Sequence, residues 1–482
     1  MTRVLFLSVE VAPFAKTGGL GDVAGALPKA LHQSGSDVRV CMPLYAGISP
    51  THYRPEPLVP RLDVLIGDRT EPVTVREGRL DQSVPVYFVE SQRYFARPTI
   101  YGHADDGERF LVFCRAALEL CRALDWRPDV IHCNDWHTGI VPNWLETVYA
   151  DDPFFRGSAT VFTIHNLAYQ GLFDWHFLAL AGLQQHGLLY PQISELQHTV
   201  DLMGRGILFA DAITTVSERY AEEILTPEYG ERLDPLLRHR RDRLFGIVNG
   251  IDEVELDPAT DRHLIARFTA ETLDRRRENK AALQREASLP VHPDTPLIGM
   301  VGRLSGQKGL DILLPVLDAL FRRDVQIVVL GTGDEQYHHA LREAHVRHPD
   351  RCVAFLSFDT PLAQRIYGSS DVFLMPSRYE PCGLGQLIAM RYGAIPVVRA
   401  TGGLADTVLD YDSRAGTGTG FTFDAYDHRD LLIALTRALE THSRPPEWRA
   451  LQQRAMAQDH SWARSAAKYL DVYAKAIAFA SA

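Results

Sequence analysis

Four stretches of this chain set charged or imidazole side chains, three of them among glycines, at places where a strand gives way to a loop. In Lys16-Thr17-Gly18-Gly19-Leu20-Gly21-Asp22 the pair Gly18 and Gly19 lets backbone come close to a ligand, the following helix start favours anions, and Lys16 adds a mobile positive charge. A glycine pair alone reads as a tight turn; the flanking Lys16 and Asp22 move the reading toward binding. Gly302-Arg303-Leu304-Ser305-Gly306-Gln307-Lys308-Gly309 follows the apolar run Leu297–Val301, so Arg303 and Lys308 fall in a loop at the carboxyl end of a parallel strand. Two fixed cations there suit a leaving diphosphate whose charge grows as a donor bond breaks; exposed charges capping a helix fit the octet equally well. Thr163-Ile164-His165-Asn166 ends a buried run on two polar side chains, although a lone strand-end histidine more often satisfies backbone groups. Arg378-Tyr379-Glu380-Pro381-Cys382-Gly383-Leu384-Gly385 offers a carboxylate, Glu380, and backbone N–H groups at Cys382 to Leu384 able to bind hydroxyls. Its alternative is a helix-start Glu complementing the macrodipole.

Other candidates are weaker. Gly331-Thr332-Gly333-Asp334 begins like a dinucleotide fingerprint, but Gln336 stands where the third glycine belongs, which argues against nicotinamide binding. Asp410-Tyr411-Asp412 has the spacing of a metal–diphosphate motif, a match too short to weigh. His132, Asp135 and His137 lack the helical spacing of a zinc pair, and strand-end hydrogen bonding describes them better. Cys41, Cys114, Cys121, Cys133, Cys352 and Cys382 form no C-x-x-C pair, which fits a reducing compartment.

The elements that must position these groups come in two sets. Short runs rich in β-branched residues recur at Val4–Val9, Val38–Met42, Val86–Val89, Val130–Cys133, Val161–Ile164 and Ile213–Val216, then at Leu297–Val301, Val325–Leu330, Val353–Leu356, Val372–Met375 and Ile395–Val398. Each is followed by a turn residue and a helical stretch, the pattern of parallel α/β layers. At 482 residues, with 46% hydrophobic and 23% charged residues, the chain has material for two large cores. The predicted fold is two Rossmann-like, doubly wound parallel-sheet domains facing one cleft, residues 1–243 and 244–482, with a last helix that can cross back to the first. Charged Arg262–Pro296 reads as a helical connection between them, and Trp448 to Ala482 as helix with one buried face. Thr401-Gly402-Gly403-Leu404 echoes Thr17 to Leu20, so each domain is expected to offer a glycine-rich edge to the cleft.

A net charge of −11 without a long basic run excludes a nucleic-acid partner. The absence of a signal-peptide pattern and of any membrane-length apolar run predicts a cytoplasmic protein with no membrane partner.

Taken in order, the motifs Lys16 to Leu20, Asn134-Asp135-Trp136-His137, His165-Asn166, Asn249-Gly250-Ile251-Asp252, Arg303 to Lys308, Glu380 to Leu384 and Thr401 to Leu404 resemble those of bacterial glycogen synthases and plant starch synthases, retaining glycosyltransferases of the glycosyltransferase-B architecture. The resemblance spans nearly the whole chain. It implies an ADP-glucose donor, a glycogen or α-1,4-glucan acceptor extended at its non-reducing end, retention of configuration, no cofactor and no bound metal. It further implies that Arg303 and Lys308 grip the diphosphate, Lys16 reaches the same phosphates, and His165 contacts the glucose. By the same resemblance Glu380 would sit beside the reacting sugar, with Cys382, Gly383 and Leu384 binding hydroxyls through their backbone. Gly18, Gly19, Asp22, Asn249, Thr401, Gly402 and Gly403 would join the donor site, and Phe358 would lie against the adenine. Three departures touch nucleotide preference and acceptor fit: Gly385 where many members carry Thr, Leu256 where a Trp is common, and Phe358-Asp359-Thr360 beside the base. Rival readings are a relative that uses UDP-glucose or another acceptor, and a catalytically silent glucan-binding protein.

Overall fold

In a computed structural model, which describes residues 1–49, 53, 55–184 and 199–481, the chain divides into two compact units. The first comprises Met1–Gly250 with Trp462–Ala482, the second Ile251–Ser461.

The first unit is built on a nine-stranded sheet whose strands lie in the order Leu244–Gly246, Ala212–Thr215, Ala159–Ile164, Val130–Asn134, Arg3–Leu7, Asp37–Pro43, Val84–Glu90, Arg69–Leu80 and Glu56–Ile66. From Leu244–Gly246 to Val84–Glu90 the pairings are parallel. Val130–Asn134 and Ala159–Ile164 are buried at every position, as expected of parallel strands covered on both faces. The last two strands are antiparallel and were not anticipated from sequence. Their burial alternates and Pro57, Pro60 and Pro72 interrupt them, so they lack the continuous apolar run that marks a covered strand.

The second unit carries a six-stranded, wholly parallel sheet in the order Cys352–Phe355, Gln326–Leu330, Leu297–Val301, Val372–Met375, Ile395–Arg399 and Phe421–Phe423. Residues 262–296 do not form the expected connector. They lie inside this unit, and their helix Arg276–Glu286 packs against Thr360–Ser369 through Leu283, Leu362 and Ile366. An ion pair of Lys280 with Asp371 (2.7 Å) fixes it below the sheet, at the start of Val372–Met375.

The tail separates into two helices with different hosts. Pro445–Met456 buries Trp448, Leu451 and Ala455 in the second unit. Trp462–Ala480 instead packs on Gly19–Gln33 and Ala159–Ile164 of the first, burying Tyr469 and Tyr473. Burying each such aromatic ring contributes roughly 1.5–3 kcal/mol. The Tyr473 hydroxyl meets Nδ1 of the buried His132 at 2.7 Å. No helix among the described residues is long and apolar enough to cross a membrane.

Each sheet reverses its winding once. The first does so between Arg3–Leu7 and Val130–Asn134, the second between Leu297–Val301 and Val372–Met375. Loops leaving the carboxyl ends at such a reversal diverge and leave a crevice. Residues 8–18, 135–139, 302–309 and 376–384 are those loops.

Candidate active site

In the first unit the loop after Arg3–Leu7 is organised by Glu10, which sequence reasoning missed. Its buried carboxylate accepts the backbone N–H groups of Thr17 (2.5 Å) and Gly18 (2.9 Å) and the hydroxyl of Tyr101. Lys16 is thereby held at the mouth of the loop, where its ammonium pairs with Asp22 at 2.6 Å. Loss of hydration raises the Asp22 carboxyl more than the adjacent Lys16 lowers it. A methyl group built on Gly18 or Gly19 meets nothing within 4 Å, so this glycine pair is open.

His165 follows Ala159–Ile164 directly, and the neighbouring loop holds it twice. Its N–H donates to Asp135 Oδ1 (2.8 Å), and its Nε2 lies 2.9 Å from Asn134 Oδ1. Asn134 Nδ2 donates to Leu7 O (2.9 Å), which turns the amide oxygen toward His165. Nε2 therefore carries the proton and Nδ1 keeps its lone pair. Desolvation pushes His165 down to about 3, so the ring is neutral at physiological pH. Burial also pushes the Asp135 carboxyl up to about 7, against the N–H groups of His165 and Asn166 that lower it. Asn249 is buried, and its Oδ1 has no hydrogen-bond partner among the described residues.

In the second unit the two loops at the winding reversal interlock. Arg378 N–H donates to Gln307 O (2.8 Å), and a methyl group on Gly309 would lie 2.0 Å from Pro376 O. Gly309 has φ of 78°, the left-handed region that favours glycine. This approach sets Lys308 Nζ 2.5 Å from Glu380 Oε2, which also accepts from Ser377 Oγ at 3.0 Å. Arg303 lies in the same loop with its side chain at the surface.

The segment Glu380 to Leu384 rests on Thr401 to Leu404. Gly403 N–H donates to Glu380 O (3.1 Å), and methyl groups on Gly402 and Gly403 would lie 2.0 Å from Glu380 O and Cys382 O. Cys382 is buried and in no disulfide. Phe358 is 80% exposed, ahead of the helix capped by Asp359. Of the departures, Gly385 has Phe373 and Met375 at 3.0 and 3.1 Å from where a Cβ would sit, and Leu256 packs at the edge of the second core.

The weaker candidates are engaged elsewhere. Asp410 pairs with Arg437 (2.8 Å), and Asp412 caps the N–H groups of Arg414 and Ala415. His137 stacks on Tyr101, and burial drives both His132 and His137 down to about 3. No group of three His, Cys, Asp or Glu suited to a metal occurs among the described residues. Within the first unit Glu10, Lys16, Asp135 and His165 thus lie on loops leaving the same sheet edge, with Asp22 in the first turn of the helix Gly19–Gln33, and within the second Arg303, Lys308 and Glu380 lie on such loops.

Residues 3–239 match the family of the starch synthase catalytic domain, and residues 284–455 match glycosyl transferases group 1. A glycogen synthase of Moorella thermoacetica is 48% identical over 98% of this chain and 97% of its own length. One from Anaeromyxobacter sp. is 50% identical over 98% of both chains. The catalytic domain of starch synthase IV from Arabidopsis thaliana, solved bound to ADP and acarbose, superimposes with a TM-score of 0.92 at 34% identity, covering 99% of each chain. Sucrose-phosphate synthase from Thermosynechococcus elongatus, at 18% identity and a TM-score of 0.62, shares the fold. With both halves matched in order and near-half identity sustained along its length, this chain belongs to the glycogen synthase and starch synthase family, retaining glycosyltransferases of glycosyltransferase-B fold.

Proposed function

We propose that the protein transfers glucose from ADP-glucose to the non-reducing end of an α-1,4-glucan such as glycogen, keeping the α configuration, as a cytoplasmic enzyme. The observation that carries this reading furthest is the contact of Lys308 with Glu380 at 2.5 Å. A cation assigned to the leaving diphosphate and a carboxylate assigned to the sugar can then act on the two sides of one glycosidic bond. As that bond breaks, charge accumulates on the departing phosphate oxygen, and Arg303 and Lys308 stabilise it more in the transition state than in the ground state. Lys16 is a further cation assigned to the donor phosphates. His165, neutral with Nε2 committed to Asn134, offers an Nδ1 lone pair to accept a sugar hydroxyl. Gly383 and Leu384 give N–H donors to other hydroxyls, and Thr401, Gly402 and Gly403 support the donor site from behind that loop. Asp22 steers Lys16, Asn249 directs its unpartnered oxygen to donor hydroxyls, and Phe358 offers an exposed ring face to adenine. Gly18 and Gly19 leave room for phosphate.

Nucleotide release is the test: purified protein with glycogen and either ADP-glucose or UDP-glucose. Preferential release of ADP, with a lengthened α-glucan, is expected. Faster turnover of UDP-glucose would replace the donor assignment, and no transfer from either would favour a silent glucan-binding protein. Excess EDTA is expected to leave the rate unchanged, because fixed cations supply the counter-charge. Loss on chelation with recovery on manganese would return attention to Asp410 and Asp412.

A further inference from the structure

Gln386 is fully buried six residues beyond Glu380, and its amide joins the two glycine-rich segments of the second unit. The two protons of Nε2 are shared among three acceptors, Gly383 O (2.8 Å), Cys382 O (3.1 Å) and Thr407 Oγ1 (3.1 Å). The Thr407 hydroxyl spends its own proton on Gly403 O (2.6 Å), so it accepts from Gln386. Two backbone carbonyls facing the amide require a donor, which fixes which end of the Gln386 side chain is nitrogen.

The consequence lies on the opposite face of the loop. In a trans peptide the C=O of one residue and the N–H of the next point in opposite directions. Drawing Cys382 O and Gly383 O inward to Gln386 therefore turns the N–H groups of Gly383 and Leu384 away from it. Neither N–H has a backbone acceptor among the described residues. Gly383, with φ of 73°, adopts the left-handed conformation this arrangement needs, and a Cβ there would meet Gln386 Oε1 at 2.5 Å. Behind the loop, the near-contact of Gly403 with Cys382 O leaves no space for it to relax backward.

We propose that Gln386, backed by Thr407, is a positioning residue for glucose transfer: it clamps the carbonyls of Cys382 and Gly383 so that the N–H groups of Gly383 and Leu384 stay aimed at the sugar of the donor. This rests on the donor-site reading above. Gln386 does not touch substrate. Its effect is confined to the part of the donor that carries glucose, whereas the diphosphate is held by Arg303 and Lys308 from another loop.

That separation supplies the test. Gln386→Glu keeps the shape and replaces the donor by an acceptor facing two carbonyl oxygens. With ADP-glucose and glycogen, kcat/KM is expected to fall on the order of tenfold to a hundredfold, the scale of a misplacement near one ångström. Inhibition by ADP, which lacks the glucose, is expected to change less than about twofold, within the scatter of a distant substitution. Thr407→Val, which removes the second anchor, should give the same pattern more weakly and decides the matter if Gln386→Glu does not fold. Wild-type kinetics in a folded Gln386→Glu, or ADP inhibition weakened in proportion to turnover, would overturn the proposal. Absence of transfer in the wild-type control would instead locate the failure in the function assigned to the whole site.

Discussion

The tetrad Thr-Gly-Gly-Leu occurs twice, at Thr17 to Leu20 and at Thr401 to Leu404, and the two copies do different work. In the first the glycines face open space and the loop hangs from the Glu10 carboxylate. In the second they are buried and serve as the surface on which Glu380 to Cys382 lie, with no room for a methyl group. One copy uses missing side chains to leave space for a ligand; the other uses them to let two backbones touch. The cations differ in parallel. Lys16 pairs with an Asp22 that is 36% exposed, whereas Lys308 pairs with a Glu380 that is 7% exposed. The less exposed the pair, the lower the dielectric through which its charges act.

The sharpest way to break this contrast is to remove each cation. Lys308→Ala is expected to lower kcat on the order of a hundredfold to a thousandfold, as for loss of one preorganised electrostatic donor, and Lys16→Ala by a smaller factor. Steady-state kinetics with ADP-glucose and glycogen, beside thermal melts, check it; equal losses would erase the distinction. Next come matched glycine replacements. Gly403→Ala should destabilise the fold by about 1–3 kcal/mol through forced backbone shifts, while Gly18→Ala should stay within about 0.5 kcal/mol. Urea unfolding of both variants reads the difference, and similar values would mean that the second copy is as roomy as the first.

Glu10→Ala probes the suspension of the first loop. Leaving two backbone donors without their acceptor is expected to cost about 1–3 kcal/mol and to reduce turnover by displacing Lys16. Added stability at unchanged turnover would remove Glu10 from the account. Asp135 supplies a pH dependence. Its carboxyl sits at about 7 when folded against an ordinary 3.8. Between those values the folded state binds a proton that the unfolded chain does not. The stability this group contributes is full below pH ~4 and is lost as pH rises through ~7. Melting temperatures across that range should fall with pH more steeply in the wild type than in Asp135→Asn, and parallel curves would contradict the shift.

Much of the fold was legible because covered parallel strands announce themselves: Val372–Met375 and Leu297–Val301 are uninterrupted apolar runs, ended by Pro376 and Gly302. The antiparallel pair Glu56–Ile66 and Arg69–Leu80 was not, since alternating burial and prolines dilute that signal. In the candidate site, residues announced by charge beside glycine were found at once. Glu10 was passed over because its role lies in accepting N–H groups seven and eight residues away, for which no local pattern exists. Gln386 is an amide inside a helix, and nothing in its neighbourhood separates it from a core polar residue.

The sequence by itself determined the alternation of strand and loop, the placement of Lys16, His165, Arg303, Lys308 and Glu380 at carboxyl ends of strands, and the family resemblance. These depend on residue type and short-range order, which the chain carries wherever it folds. Only the tertiary structure decided which Thr-Gly-Gly-Leu is open and which is a packing surface, since that depends on what backbone lies above the glycines. It also decided that Trp462–Ala480 leaves the helix before it and returns to the first unit. Both tail helices present an apolar stripe, and the choice of host rests on partners distant in sequence, such as Tyr473 against His132 and Trp448 within the second core.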